Sequence, residues 1–347
     1  MKKIYLFSGI MVILYLINAC TSGKIQIKLE NIPGAQKVDV TVGGNLFTSY
    51  CYSDTLKKPI LFPIIAADGI TITRGYPLFP RKGEQVDHPH QVGYWFAYGD
   101  VNGIDFWNNS SWIRDSDRYR YGTIRLKNIE KLENLKDKGV LAVNHEWVKS
   151  DGTVMIDEHT IFTFSAGKDY RIIDRLTTVT NKLSENFILN TSEGASGLRV
   201  ARFLEFPSIK PGSFVDANGK TTRESVVNDE GVSGNYLSSE GIEGVSVWGT
   251  RAKWMKLYGV NGPDTISIVF MDHPSSFNYP TYWHARAYGL FAANAFGAKD
   301  FTNGKEELNF KFKEGEKITF KHRIYIKSGK GFPASEIEKK WMDFSKN

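Results

Sequence analysis

Val140-Leu-Ala-Val-Asn-His-Glu-Trp147, Thr153-Val-Met-Ile-Asp-Glu-His-Thr-Ile-Phe-Thr-Phe-Ser165 and Tyr170-Arg-Ile-Ile-Asp-Arg-Leu-Thr-Thr-Val-Thr-Asn181 follow one another with only short breaks. Each is rich in β-branched and aromatic residues and alternates apolar with polar side chains. That is the period of a strand with one face buried. The breaks, Ser150-Asp-Gly152 and Gly167-Lys168, are turn sequences. Long strands joined by tight turns pair antiparallel, so this region predicts a large antiparallel sheet.

The pattern extends in both directions. Upstream, Ile25, Ile27 and Leu29 alternate, as do Val38, Val40 and Val42, and Leu46–Tyr52, Ile60–Ile65 and Ile70–Arg74 read as further strands. Residues 108–138 read as a polar loop leading into a strand over Gly122–Leu126. Downstream, strands are predicted over Asn186–Ser192, Gly244–Gly249, Arg251–Val260, Thr265–Asp272, Leu308–Phe312 and Lys317–Lys327. Residues 208–243, with Pro211-Gly212 and Asn218-Gly219, look like a surface excursion. Pro333 suits a helix start, and Ile337, Trp341 and Phe344 would share one helical face. The whole predicts an all-β, large antiparallel β-sandwich over residues 28–330, with a short C-terminal helix in 331–347 packed on it.

The composition agrees. Of 347 residues 41% are hydrophobic, and 22 Phe, 16 Tyr and 8 Trp accompany 32 Gly, as strands and turns require. The net charge is +6, two less without Lys2 and Lys3, and no basic run occurs; a nucleic-acid partner is not indicated.

Residues 1–19 read as a lipoprotein signal peptide. Lys2 and Lys3 precede an apolar stretch, Ile4–Ile17, too short for a comfortable membrane span. Ile17-Asn-Ala-Cys20 looks like a lipobox, which makes Cys20 the lipidated residue and residues 20–27 a tether. No aspartate follows Cys20, which favours the outer membrane. Cys51 then has no intrachain partner, so packing alone must hold the fold.

Four clusters carry more polar and aromatic chemistry than a core needs. The densest is Glu84–Trp107. His88 and His90 flank Pro89, and in extended backbone their rings would share a face, with Trp95 close behind and Arg74 delivered from upstream. Asp100-Val-Asn-Gly103 is a turn sequence. In the second cluster Glu193 stands between a strand and a glycine turn, a place for a general base, with Arg199 nearby to hold an anion. The third is Trp248-Gly-Thr-Arg-Ala-Lys-Trp254, in which Arg251 and Lys253 would share a strand face. The fourth joins His273 to Trp283-His-Ala-Arg286. Each of these groupings also has a plain structural explanation: paired histidines, strand-end ion pairs and core tryptophans. Histidine, arginine and aromatic residues with few acids suit a polar ring-shaped ligand such as a sugar. The candidate proton-transfer residues are His88, His90, Glu193 and His284. The candidate ligand-binding residues are Arg74, Trp95, Arg199, Arg251, His273, Trp283 and Arg286. A divalent metal at His88 and His90, completed by His284 or Glu193, is a further chemistry these residue types allow.

Taken in order, Asp87-His-Pro-His90 with Gly93, Gly99–Trp107, Glu193-Gly with Gly197–Val200, Trp248-Gly, Asp272-His-Pro274 and Trp283–Gly297 resemble the PmoA-like family of bacterial proteins. The resemblance covers roughly Lys28–Lys330. The chain departs from the family at Gln91, where a second histidine is usual, and at Ala295, where proline is usual. The first departure weakens a three-histidine metal site. The resemblance implies a galactose-mutarotase-like β-sandwich, and no membrane oxygenase, because no spanning helix follows the signal. The leading expectation is a lipoprotein that carries out acid/base chemistry on a sugar: epimerase, lyase or hydrolase. The alternatives are a non-catalytic glycan-binding lipoprotein and a metal-dependent oxidase.

Overall fold

The computed structural model describes residues 25–188, 191–207, 211–224 and 229–347. The expected signal peptide and the expected lipidation site Cys20 lie outside the described residues. The strands, in chain order, begin with β1 (Ile27–Ile32), β2 (Lys37–Val42), β3 (Asn45–Cys51), β4 (Ile60–Ile64) and β5 (Tyr94–Tyr98). Next come β6 (Thr123–Asn134), β7 (Lys138–Val148), β8 (Val154–Ala166), β9 (Tyr170–Asn181), β10 (Glu185–Ile188) and β11 (Gly194–Arg199). They continue as β12 (Gly212–Val215), β13 (Thr221–Glu224), β14 (Asn235–Ser238), β15 (Trp254–Asn261) and β16 (Asp264–Asp272). The last are β17 (Tyr282–Ala285), β18 (Leu290–Asn294), β19 (Phe310–Lys313) and β20 (Lys317–Lys327). The helices are α1 (Ala298–Phe301) and α2 (Ala334–Ser345).

Two eight-stranded antiparallel sheets face each other, as the strand pattern predicts. The first runs β1-β2-β3-β4-β5-β11-β18-β17, the second β14-β15-β16-β20-β9-β8-β7-β6. The three runs that open the sequence reading become β7, β8 and β9, adjacent and in register. Their apolar side chains, Leu141, Val143, Phe162, Phe164 and Ile173, meet Val38, Val40, Phe47, Leu198 and Phe291 between the sheets. Helix α2 starts after Pro333 and lays Ile337 and Phe344 on the far face of the second sheet, against Trp254, Val269 and Tyr325.

Several boundaries differ from the sequence reading. β6 continues to Asn134, because its outward residues are polar and only its inner face is apolar. Gly244–Val247 is a 3₁₀ turn rather than a strand; Gly244 and Gly249, at φ 64° and 74°, turn the chain there. Ile70–Arg74 makes only isolated bridges at Thr71 and Thr73. Residues 189–190 of the expected strand over Asn186–Ser192 lie outside the described residues, and β10 pairs with β19 in a small sheet of its own. Within the expected excursion, β12 and β13 form a hairpin, whereas β14 joins the second sheet.

β5, β11, β17 and β18 fall inside the stretches read for chemistry, and they form one half of the first sheet. Register places Trp95, Gly197, Ala292 and His284 in one row across it. Tyr94 and Phe270, or Trp283 and Phe270, meet on the inner side. The Trp95 row therefore faces outward, beneath the loops 74–93 and 99–122.

Candidate functional site

Asp87 organises the loop over this outer face. Its carboxylate accepts hydrogen bonds from Arg74 and Arg199, the latter at 2.8 Å, and its second oxygen accepts from His88 Nδ1 at 2.6 Å. Both arginines are wholly buried. Arg74 also donates to the carbonyls of Gln85, His88 and Gln91, and Arg199 to Gln91 Oε1 at 2.7 Å. Burial pushes the Asp87 carboxyl up, but the hydrogen bond from His88 and the two guanidinium charges outweigh it and hold it well below the usual carboxylate range. Arg74 and Arg199 thus serve to fix the loop, and neither presents a free fork to a ligand.

The loop is not extended. His88 takes φ 40° and residues 89–90 form a turn. The two imidazoles still meet, edge to face at 5.7 Å, but across the turn and not along a strand. His88 is exposed and its ring stacks on Tyr288 at 4.8 Å; Tyr288 in turn lies under the Arg199 guanidinium at 4.7 Å. His90 turns inward. Burial first, then the charges of Lys58 and His88, hold it well below the ordinary histidine value, and its Nε2 has no hydrogen-bond partner.

Glu193 precedes β11, and its carbonyl accepts the Gly99 N–H at 2.8 Å. A Cβ at Gly99 would lie 2.9 Å from that of Glu193, so only glycine permits this approach. The carboxyl is half-buried and accepts from Asn108 Nδ2, which also donates to Asp105 at 2.8 Å. Burial raises the Glu193 carboxyl above its usual range despite Asn108, and the neighbouring Asp105 charge adds to the rise. His88 lies within electrostatic range of it. Lys58 lies close by. It is buried, donates to the Trp107 carbonyl at 2.7 Å, and is brought down by burial to about 7, against the pull of Asp105 and Glu193.

His284 sits at the other margin. Its Nδ1–H donates to Ser192 O at 2.5 Å, so Nε2 is the acceptor for Arg286 Nε at 3.2 Å. With both nitrogens engaged and burial lowering its pKa to about 4, His284 is neutral and positions Arg286. Arg286 is exposed and lies over the Trp248 ring at 4.9 Å.

The structure thus brings His88, His90, Glu193, His284 and Arg286 around one outer face. Arg74, Arg199 and Trp95 lie buried beneath that face, and the remaining candidates are tied up in the fold. Trp95 and Trp283 are completely buried: Trp95 packs on Trp107 at 5.0 Å, and Trp283 donates to Ala252 O between the sheets. Neither offers a face to a ligand. Arg251 binds the carbonyls of Asn278 and Pro280 and stacks on Tyr282. His273 bonds Ser275 and packs against Phe344 of α2. Both are tied into the local fold. Among the described residues, no three of His, Cys, Asp and Glu are grouped to hold a metal ion. Sequence reasoning missed Lys58, Asp105, Asn108 and Tyr288. Asp105-Phe-Trp-Asn108 carried a signal, a turn in which the Asp105 carboxylate accepts the N–H groups of Trp107 and Asn108.

Residues 37–342 match DUF6807, described as a family of unknown function. That description does not carry the PmoA-like name. No curated protein matches the chain. Among solved structures, the chain is similar to a galactose mutarotase-like protein from Clostridium acetobutylicum, at 13% identity and a TM-score of 0.36, over 88% of this chain and 99% of that one. It is also similar to the galactosidase domain of an α-galactosidase–sucrose kinase (8% identity, TM-score 0.36) and to a GH36 α-galactosidase from Geobacillus stearothermophilus (9%, 0.34). Each covers 87% of this chain, which spans 41% of either galactosidase.

Proposed function

We propose that this chain, which belongs to the DUF6807 family of unknown function, is a carbohydrate-active protein that moves protons on a sugar at the outer face of its first sheet. The observation that carries this reading is the half-buried Glu193 carboxyl, held by Asn108 and with a raised pKa, on the same outer face as the exposed His88 imidazole. Such a pair can take a proton from one position of a ligand and return one at another. Asn108 aims the carboxyl, Asp87 and Tyr288 aim the imidazole, and Arg286 on Trp248 supplies a charged fork on an aromatic face. Epimerisation, elimination and hydrolysis all draw on such a pair. Lipidation at Cys20, holding the protein on the outer membrane, completes the proposal.

Proton NMR of the purified protein with mono- and oligosaccharides, uronic acids included, tests the reading. The expected outcome is a time-dependent change in one sugar that disappears in Glu193→Gln and His88→Ala. Line-broadening without any chemical change would replace the enzyme with a glycan-binding protein. Spectra unaltered across the whole panel would remove the carbohydrate assignment.

A further inference from the structure

Among the described residues, three large aromatic side chains stand out in solvent: Phe79 at 72% exposure, Trp112 at 64% and Tyr119 at 68%. All three belong to two loops, 75–83 and 108–122. The loops flank a cleft of about 190 Å³ lined by Pro77, Leu78, Asn109 and Ser110. The lining also includes His90 and Lys58, so the cleft adjoins the site described above.

Neither loop is loose. The first is clamped on the buried Glu84 carboxylate, which accepts the N–H groups of Gly75, Tyr76 and Arg81 and the Arg81 side chain at 2.8–3.0 Å. A Cβ at Gly75 would lie 2.0 Å from the Phe79 carbonyl, so the turn needs glycine. The Phe79 ring lies parallel to Phe62 with centroids 6.1 Å apart. In the second loop, Asn109 donates to the Gly122 carbonyl at 2.7 Å, and Trp112 meets Tyr76 edge to face. Each ring thus keeps one aromatic contact with the protein and leaves most of its surface to solvent.

The surroundings identify the occupant. Asn109, Ser110 and Ser111 give the cleft amide and hydroxyl groups, and the exposed rings of Phe79 and Trp112 follow its lining residues Leu78 and Ser111 in the chain, at its rim. That mixture suits a pyranose, with a C–H face to stack and hydroxyls around its edge. A protein partner would favour a continuous apolar patch. Arg114 and Arg118, on the second loop, are paired with Asp117 and Asp115 and do not add free charge for an anionic lipid surface. We propose that the cleft between these loops is an extended subsite for a glycan chain, with Trp112 and Phe79 as its stacking platforms. The ligand is then an oligo- or polysaccharide whose end reaches Glu193 and His88. This rests on the carbohydrate reading of that site, but its test does not need turnover.

The test is calorimetric binding of mono- to hexasaccharides of cellulose, xylan, mannan and polygalacturonate to the full-length protein in detergent. The variants are Trp112→Ala, Phe79→Ala and Glu193→Gln; the first two replace exposed side chains and should melt with the wild type. The expected result is an affinity that rises with chain length, a loss of about ten-fold for longer chains in Trp112→Ala or Phe79→Ala, and unchanged monosaccharide binding. Glu193→Gln should retain the length dependence. Length-dependent binding that only the loop variants lose, without turnover, upholds the subsite while the proton-transfer reading falls. Length-independent affinity, full binding in both loop variants, or no oligosaccharide binding at all overturns it. So does binding to vesicles or to another protein that Trp112→Ala abolishes while no glycan binds.

Discussion

Asp87 is the residue on which the candidate site hangs. It is the shared counter-charge of two guanidinium groups with no exposed surface. Replacing it by asparagine keeps the shape and removes the charge, leaving both cations buried with only carbonyl and amide partners. Breaking a buried pair in this way costs about 3–5 kcal/mol. Asp87→Asn should therefore lower the thermal midpoint by many degrees and release His88 from its place over Tyr288. Melting alongside the wild type would mean that water already reaches the two arginines. The same residue explains why the site was only half legible. Arg74 and Arg199 are visible in the sequence as charges, and charges near histidines suggest a ligand. Their true partner lies 13 residues from one and 112 from the other. Nothing in local spacing ties the three together. Trp95 and Trp283 mislead for a related reason, since a tryptophan beside histidines reads equally well as a platform or as core. Lys58, next to Lys57 and Pro59, carried no signal at all.

At the scale of elements, β7, β8, β9, β16 and β20 were legible and β5, β11, β17 and β18 were not. Strands with one wet face alternate; strands covered on both faces lose the alternation. Tyr94–Tyr98 and Gly194–Arg199 are buried at every position. In β11 this was compounded by Gly194 and Gly197, which read as a turn. Gly197 is there because Trp95 and Trp107 press onto the strand: a Cβ would fall 2.5 Å from Trp95 and 2.8 Å from Trp107. Gly197→Ala must push aside two large rings that floor the outer face. We expect it to destabilise the fold by about 1–3 kcal/mol in urea unfolding. Gly34→Ala, where an added methyl meets nothing within 4 Å, is the control and should be neutral or slightly stabilising. Equal stability of the two variants would show that the tryptophans shift freely.

Across the whole molecule, the two sheets are joined by polar bridges as well as by apolar packing. Tyr50 in the first sheet bonds His145 in the second at 2.5 Å, backed by Glu158 and Arg175. Ser196 in the first bonds His322 in the second at 3.0 Å, and His322 stands directly across β16–β20 from Asp272. Serine, histidine and aspartate in this order suggest a nucleophile, but all three are buried between the sheets, out of a ligand's reach. Their effect is on stability. Burial raises the Asp272 carboxyl from 3.8 to about 7, so between those values the folded state holds the extra proton and stability falls as pH rises. Burial lowers His322 from 6.5 to about 3, so over that interval the unfolded state holds the extra proton and stability rises with pH. Between pH 4 and 6.5 the two slopes oppose each other, and the pair contributes little net pH dependence. Each single variant should expose the other half. Relative to wild type, Asp272→Asn should gain stability as pH rises through this window, and His322→Gln should lose it, by up to about 1.4 kcal/mol per pH unit. Urea unfolding at pH 4.5, 5.5 and 6.5 measures both slopes, and variants that simply track the wild-type profile would show that neither group titrates apart from its unfolded value. The bridge enters the first sheet at Ser196, next to Gly197 in the strand that carries the Trp95 row, so the same urea series also reports on the strand beneath the candidate site.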